Sequence, residues 1–198
     1  MKIIMFDTET TGLLLAEGAP LENQPQIIEF AAIAMDQHFK EIDRLEFMCN
    51  PEKPLPPIIT KITGITDNDL MTKLPFKHFA DDVLKFWQGV NYVIAHNVNY
   101  DMGMLNNELK RLGLEESLPK PKQCVCTVQE TYHIHNRRLK LSQAYKHFTG
   151  KEPEIAHRAM GDVETLKELV IQLIQKDILC LSTSNAEQNI ASSDALDQ

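Results

Sequence analysis

The run Lys2-Ile3-Ile4-Met5-Phe6 closes on Asp7-Thr8-Glu9-Thr10-Thr11-Gly12, and no other stretch restricts the fold as much. β-Branched and aromatic residues closed by a glycine-containing turn predict a strand. Residues two apart on a strand share a face, so Asp7 and Glu9 are neighbours at its far end. Like charges held this close repel unless a cation lies between them. Hard divalent ions such as magnesium and manganese accept carboxylate oxygens. A lone acidic pair is also an ordinary feature of a solvated edge strand, so the rest of the chain has to decide.

The 198 residues, 43% of them hydrophobic and 24% charged, suffice for one domain with a real core. A net charge of −8 argues against broad, non-specific duplex binding, which rests on neutralising many phosphates. It leaves room for a carboxylate site at which bound divalent metals restore positive potential. Residues 1–6 are too short for the apolar region of a signal peptide, and no apolar run approaches membrane-spanning length. The expectation is a soluble, cytoplasmic protein. Cys49, Cys124, Cys126 and Cys180 imply no disulfide framework in such a chain. The spacing of Cys124, Cys126, His133 and His135 matches no common zinc pattern.

Residues 13–26, with Gly18, Pro20 and Pro25, read as a loop that opens on Leu13-Leu14-Leu15. Strands are predicted at 27–34 and 44–49, which with the first make an antiparallel meander. Glu29 interrupts the apolar second strand, either as an edge-facing charge or as a carboxylate near the site. Residues 51–57 read as an irregular proline-rich connection. Thr66 and Asp69 have capping-box spacing, with Ile65 and Leu70 as a hydrophobic staple, so a short helix begins at Asp67. A helix is predicted over 76–88 with Trp87 in the core, and a buried strand over 92–95. The next helix, carrying Met102, Leu105, Leu109 and Leu112, has Asp101 in its first turn and ends at Gly113. A short strand at 124–128, a helix to about 133, a helix over 141–148 and a long helix over 160–181 follow. The final helix buries Val163, Leu166, Leu169, Val170, Leu173 and Ile174. Residues 1–181 are the expected domain, and 182–198 a polar, disordered tail.

Asp162 stands at the head of that last helix, five residues after His157. Asp7, Glu9, Asp101 and Asp162 with one histidine suit two-metal hydrolysis of a phosphodiester, the imidazole taking the proton of the attacking water. Phe6 to Gly12, Ala95-His96-Asn97 through Asp101, and His157 through Asp162 resemble the three exonuclease motifs of the DEDD superfamily. Ile62-Thr63-Gly64-Ile65-Thr66 is similar to that family too. The resemblance covers about 2–179. It is closest to the histidine subgroup typified by the proofreading epsilon subunit of bacterial DNA polymerase III.

It implies a ribonuclease H-like α/β fold with a mixed central sheet and flanking helices, and metal-dependent 3′→5′ removal of nucleotides. By resemblance, Asp7, Glu9, Asp101 and Asp162 are ligands of two Mg2+ or Mn2+, and His157 is the general base. Thr10 and Thr11 contact the terminal nucleotide, and Leu13 packs on its base. Tyr100 stands where the family often has Phe, which is harmless if its hydroxyl reaches solvent. Arg137, Arg138 and Lys140 either contact strand phosphates or form a solvated loop. His96 is structural.

The expected activity is a 3′→5′ exonuclease on single-stranded or frayed DNA, in proofreading or repair, with a DNA polymerase as a possible partner. The alternatives are an exoribonuclease of the RNase T or oligoribonuclease type and a replisome-binding module with a vestigial site. The presence of all four acids and His157 argues against the last.

Overall fold

β1 (Ile3–Thr10) forms on the apolar run and continues through the acidic pair. The computed structural model describes residues 1–16, 18–154 and 158–181, so His157 and the 182–198 tail lie outside the described residues. β2 (Ile27–Met35) and β3 (Glu41–Met48) complete the antiparallel meander. β3 starts earlier than its apolar residues suggest, because pairing with β2 carries its exposed polar half.

Two features of the next stretch depart from the sequence reading. α1 (Pro57–Thr63) begins on the last residue of the stretch 51–57 expected to be irregular and runs on past it. Pro57 is its first residue, where the missing N–H costs nothing, and Gly64 closes it in the left-handed region at φ 73°. α2 (Asp67–Leu70) carries the expected capping box: Asp69 N–H donates to Thr66 Oγ1, and Thr66 N–H donates to the Asp69 carboxylate. Ile65 and Leu70 meet in a small buried cluster with Ile28 and Leu55. The helix expected over 76–88 is split into a 3-10 turn, Phe76–His78, and α3 (Ala80–Phe86).

β4 (Tyr92–Ala95), α4 (Val98–Arg111), β5 (Gln123–Cys126), α5 (Thr127–His135), α6 (Leu141–Thr149) and α7 (Ala159–Gln175) follow. α7 stops before the expected residue 181. Asp177 adopts φ 56°, its N–H bonds Ile174 O, and the N–H of Ile178 returns to Leu173 O at 2.9 Å, a Schellman ending.

The sheet order is β3-β2-β1-β4-β5, with β4 and β5 parallel to β1. The two-residue period of β1 divides the core. Ile4 and Phe6 face a cluster with Phe30, Val83, Trp87, Leu105 and Leu109. Ile3 and Met5 face the opposite cluster, with Ile33, Val163, Leu166, Val170 and Leu173 of α7. Trp87 is fully buried, edge-on to Phe6 at 5.3 Å. No helix among the described residues is long and apolar enough to cross a membrane.

Candidate metal centre

Asp7 and Glu9 extend the Ile3–Met5 row past the end of the apolar core, on the face covered by α7. Asp162 lies in the first turn of α7. The packing of Val163 and Leu166 on that row therefore brings the helix head to the strand end. Asp7, Glu9 and Asp162 each offer a carboxylate oxygen within 4.8 Å of the others, and all three are half-buried. Burial, then the charges of Asp101, Asp162, Glu9 and Glu29, push the Asp7 carboxyl well above the usual carboxylate range. Burial, then Asp162, pushes Glu9 up to about 7. An all-oxygen donor set whose members resist ionising together fits a hard divalent cation.

Asp101 approaches from α4 on the other side of β1. It is buried, and its Oδ1 accepts the Thr8 N–H at 3.1 Å and the Thr8 hydroxyl at 2.8 Å. Burial raises its pKa and the two Thr8 bonds oppose that rise. One strand thus serves both sides: Asp7 and Glu9 meet α7, while Thr8 ties down Asp101. The structure brings Asp7, Glu9 and Asp162 into one cluster and sets Asp101 beside it.

The raised pKa values set the metal-free pH response. A carboxylate whose folded pKa lies above its unfolded one stabilises the fold fully below the unfolded value and loses that contribution as pH rises through the folded value. For Glu9 the window runs from 4.5 to about 7. In EDTA the melting temperature is expected to fall between pH 5 and pH 8, with each kcal/mol lost lowering it by about 2–4 °C. A double variant, Asp7→Asn with Glu9→Gln, should flatten the profile. Equal slopes in the two proteins would exclude this origin.

Glu29, ambiguous in the sequence, is only 1% exposed and faces Glu9 across the β1–β2 register. Its carboxylate accepts the Ala159 N–H at 3.0 Å and the Arg158 guanidinium, with Nε at 3.0 and 3.1 Å and Nη2 at 2.5 Å. α7 has no side-chain cap of its own. Glu29 supplies the anion that its exposed N–H groups and dipole favour, and so fixes where Asp162 stands. Glu29→Ala strands these donors and is expected to cost about 1–3 kcal/mol. Chemical denaturation measures the loss, and an unchanged midpoint would contradict the anchoring role.

The first turn after β1 is also tied down. The Tyr100 hydroxyl donates to Gly12 O at 2.9 Å and lies 2.6 Å from the Thr10 hydroxyl. The half-buried Tyr100 thus makes internal bonds through its hydroxyl, which ties α4 to the turn. Thr11 Oγ1 accepts the Gln26 N–H at 2.9 Å. Leu14 nests over Gly103, where an added Cβ would sit 2.7 Å from its Cδ1. Arg111 Nη2 donates to Gln24 O at 2.8 Å and Pro25 O at 3.0 Å. Leu13 is left 80% exposed at the head of this braced loop. His96 is structural: Nε2 donates to Leu139 O at 2.9 Å and Nδ1 faces the Thr127 hydroxyl at 2.8 Å.

Comparison with solved structures supports the fold. Exonuclease I superposes with a TM-score of 0.71 at 19% identity, covering 89% of this chain and 42% of that one. The nuclease domain of 3′hExo, a DEDDh family member crystallised with rAMP, gives 0.69 at 18% identity and covers 88% and 92%. The mixed sheet with flanking helices is the ribonuclease H-like α/β fold of these exonucleases.

Sequence relatives include the DNA polymerase III subunit epsilon of Treponema pallidum, 31% identical over 85% of this chain and 74% of that protein. The PolC-type DNA polymerase III of Staphylococcus haemolyticus is 30% identical over 97% of this chain but only 13% of its own length. The 3′-5′ exonuclease DinG of Bacillus subtilis is 26% identical over 88% and 18%. The chain thus spans less than a fifth of PolC-type polymerase or DinG. The exonuclease family model (RNase_T) matches residues 4–170, from β1 through the acid-bearing turn of α7. With the acidic cluster and the fold inside that match, this chain belongs to the exonuclease family.

Proposed function

We propose that this chain removes nucleotides from the 3′ ends of single-stranded or frayed DNA by hydrolysis, in proofreading or repair and in company with a DNA polymerase. The convergence of β1 and α7 carboxylates within 4.8 Å of one another carries the reading. Asp7, Glu9, Asp101 and Asp162 would hold two Mg2+ or Mn2+. When bound, such ions stabilise charge on the attacking and leaving oxygens of an in-line displacement.

The chain's own groups have separate tasks. His157 accepts a proton from the attacking water on a ring nitrogen. As the water oxygen bonds to phosphorus, the bond to the 3′ oxygen breaks, and that oxygen leaves to take a proton from solvent. Thr8 fixes Asp101 through two hydrogen bonds. Thr11 keeps its own hydroxyl proton to donate to the terminal nucleotide, because that oxygen already accepts from Gln26. Thr10, bonded to Tyr100, holds the turn beneath that nucleotide. Leu13 offers an exposed apolar surface to its base. DNA is preferred over RNA because relatives at 30–31% identity carry DNA polymerase III names.

Digestion of matched DNA and RNA oligonucleotides, labelled at either end and offered with and without manganese, tests the proposal. The 3′ label should leave first as a mononucleotide, only with metal and faster from DNA. Release of the 5′ label first, internal cleavage, or faster digestion of RNA would contradict it.

A further inference from the structure

A cavity of about 350 Å3 opens where β4 and β5 end and α4 and α5 begin. Asn97, Asn99, Val128, Gln129, Tyr132 and Arg138 form its walls. None of Asp7, Glu9, Asp101 or Asp162 reaches it, yet Asn99 precedes Asp101 by two residues on α4. It is a separate groove beside the acidic cluster, outside the carboxyl ends of parallel strands, where open α/β sheets take ligands.

Its chemistry runs against the rest of the molecule. The chain carries a net charge of −8, and the larger cavity beside α6 and α7, about 530 Å3, sets Glu46, Glu152, Glu154, Glu164 and Glu168 against only Lys151 and Arg158. The groove at β4 and β5 has no carboxylate in its lining. Instead it presents a guanidinium, primary amides and a phenol ring, and Arg137 and Lys140 lie beside Arg138 in the chain. Arg138 is held in place by a 2.8 Å bond from Nη2 to Asn97 Oδ1. The Tyr132 ring is 49% exposed although it is large and apolar. α4 and α5 start at the groove without side-chain caps, so their positive dipole ends lie there, offset by Asp101 and Glu130 in their first turns.

A flat ring beside a fixed guanidinium is what an unpaired nucleotide requires. Bases stack on aromatic faces with little regard to sequence, and a guanidinium pairs with phosphate oxygens. Amide groups can reach base edges or sugar.

We propose that this groove binds an upstream nucleotide of the unpaired strand, its base on Tyr132 and its phosphate at Arg138, while the 3′-terminal nucleotide occupies the acidic site. The assignment of the terminal nucleotide rests on the function proposed above. The groove itself is tested by binding.

Anisotropy of fluorescein-labelled dT8 and rU8 in EDTA, where metal-dependent hydrolysis is off, measures the full chain and its variants. Tyr132→Ala and Arg138→Gln are each expected to raise Kd about tenfold, the size of one stacked base or one phosphate contact. Tyr132→Phe should keep wild-type affinity, because the ring face is what matters. Lys120→Gln, on a side chain 86% exposed and facing only Glu116 at 3.8 Å, should change nothing. A stronger effect on dT8 than on rU8 would assign the groove to DNA, and equal effects to either strand.

Hydrolysis of thymidine 5′-(p-nitrophenyl phosphate), which has no upstream nucleotide, separates the two claims. Tyr132→Ala and Arg138→Gln should leave it unchanged. If both variants bind dT8 and rU8 within twofold of wild type, or if they lose ester hydrolysis as well, the groove assignment fails. If wild type cleaves neither ester nor oligonucleotide but binding still depends on Tyr132, the nuclease reading fails and the groove stands.

Discussion

Asp7→Asn should lower release of nucleotides from 3′ ends by about a thousandfold or more, while the protein stays folded. The size follows from losing several kcal/mol of transition-state charge stabilisation. Asp7 is the centre of the cluster, since Asp101, Asp162, Glu9 and Glu29 all act on its carboxyl. Asn keeps the shape and removes the charge. The same substitution relieves repulsion, so the metal-free variant should melt no lower than wild type at pH 8. Loss of activity together with loss of fold would not meet the prediction. Full activity would mean that Asp7 holds nothing the reaction needs.

His157→Ala should reduce turnover by about 10²–10⁴, the usual contribution of a positioned proton acceptor, and leave affinity for single-stranded DNA within about twofold. A general base acts only when neutral, so the acid limb of the wild-type pH–rate profile should vanish from the residual activity. The assignment comes from the motif His157-Arg158-Ala159-Met160-Gly161-Asp162. Arg158 and Ala159, which follow it in the chain, are pinned to Glu29 at the head of the helix that carries Asp162. A variant that loses binding and keeps turnover would remove His157 from this role.

The parts of this design that depend on local period were legible in the sequence. The strand at Ile3–Thr10, the shared face of Asp7 and Glu9, the capping box at Thr66 and the stripe of α7 all follow from residue spacing. The parts that depend on packing between distant segments were not. Residue spacing places Asp162 at a helix head but does not say that α7 covers the Ile3–Met5 side of the sheet; only the motif order hinted that the acids meet. Glu29 finds its partner 129 residues away, and the sole local sign was a carboxylate inside an apolar strand. Tyr100 reaches Gly12 across 88 residues, so in the sequence its hydroxyl looks like a harmless departure. α1 was hidden because Pro56 and Pro57 read as breakers, although a helix start tolerates both. The groove at Tyr132 needed β4 and β5 to end side by side.

A melting titration tests the central claim most directly. Wild-type protein stripped with EDTA is melted at pH 8 in rising magnesium or manganese, beside Asp7→Asn. Ligand that binds only the folded state stabilises it by about 2.7 kcal/mol at a hundred times its dissociation constant. At about 2–4 °C per kcal/mol for a chain of this size, wild type should gain roughly 5–10 °C and Asp7→Asn little or nothing. No gain at millimolar metal, or the same gain in both proteins, would show that the carboxylates of β1 and α7 do not meet around a cation.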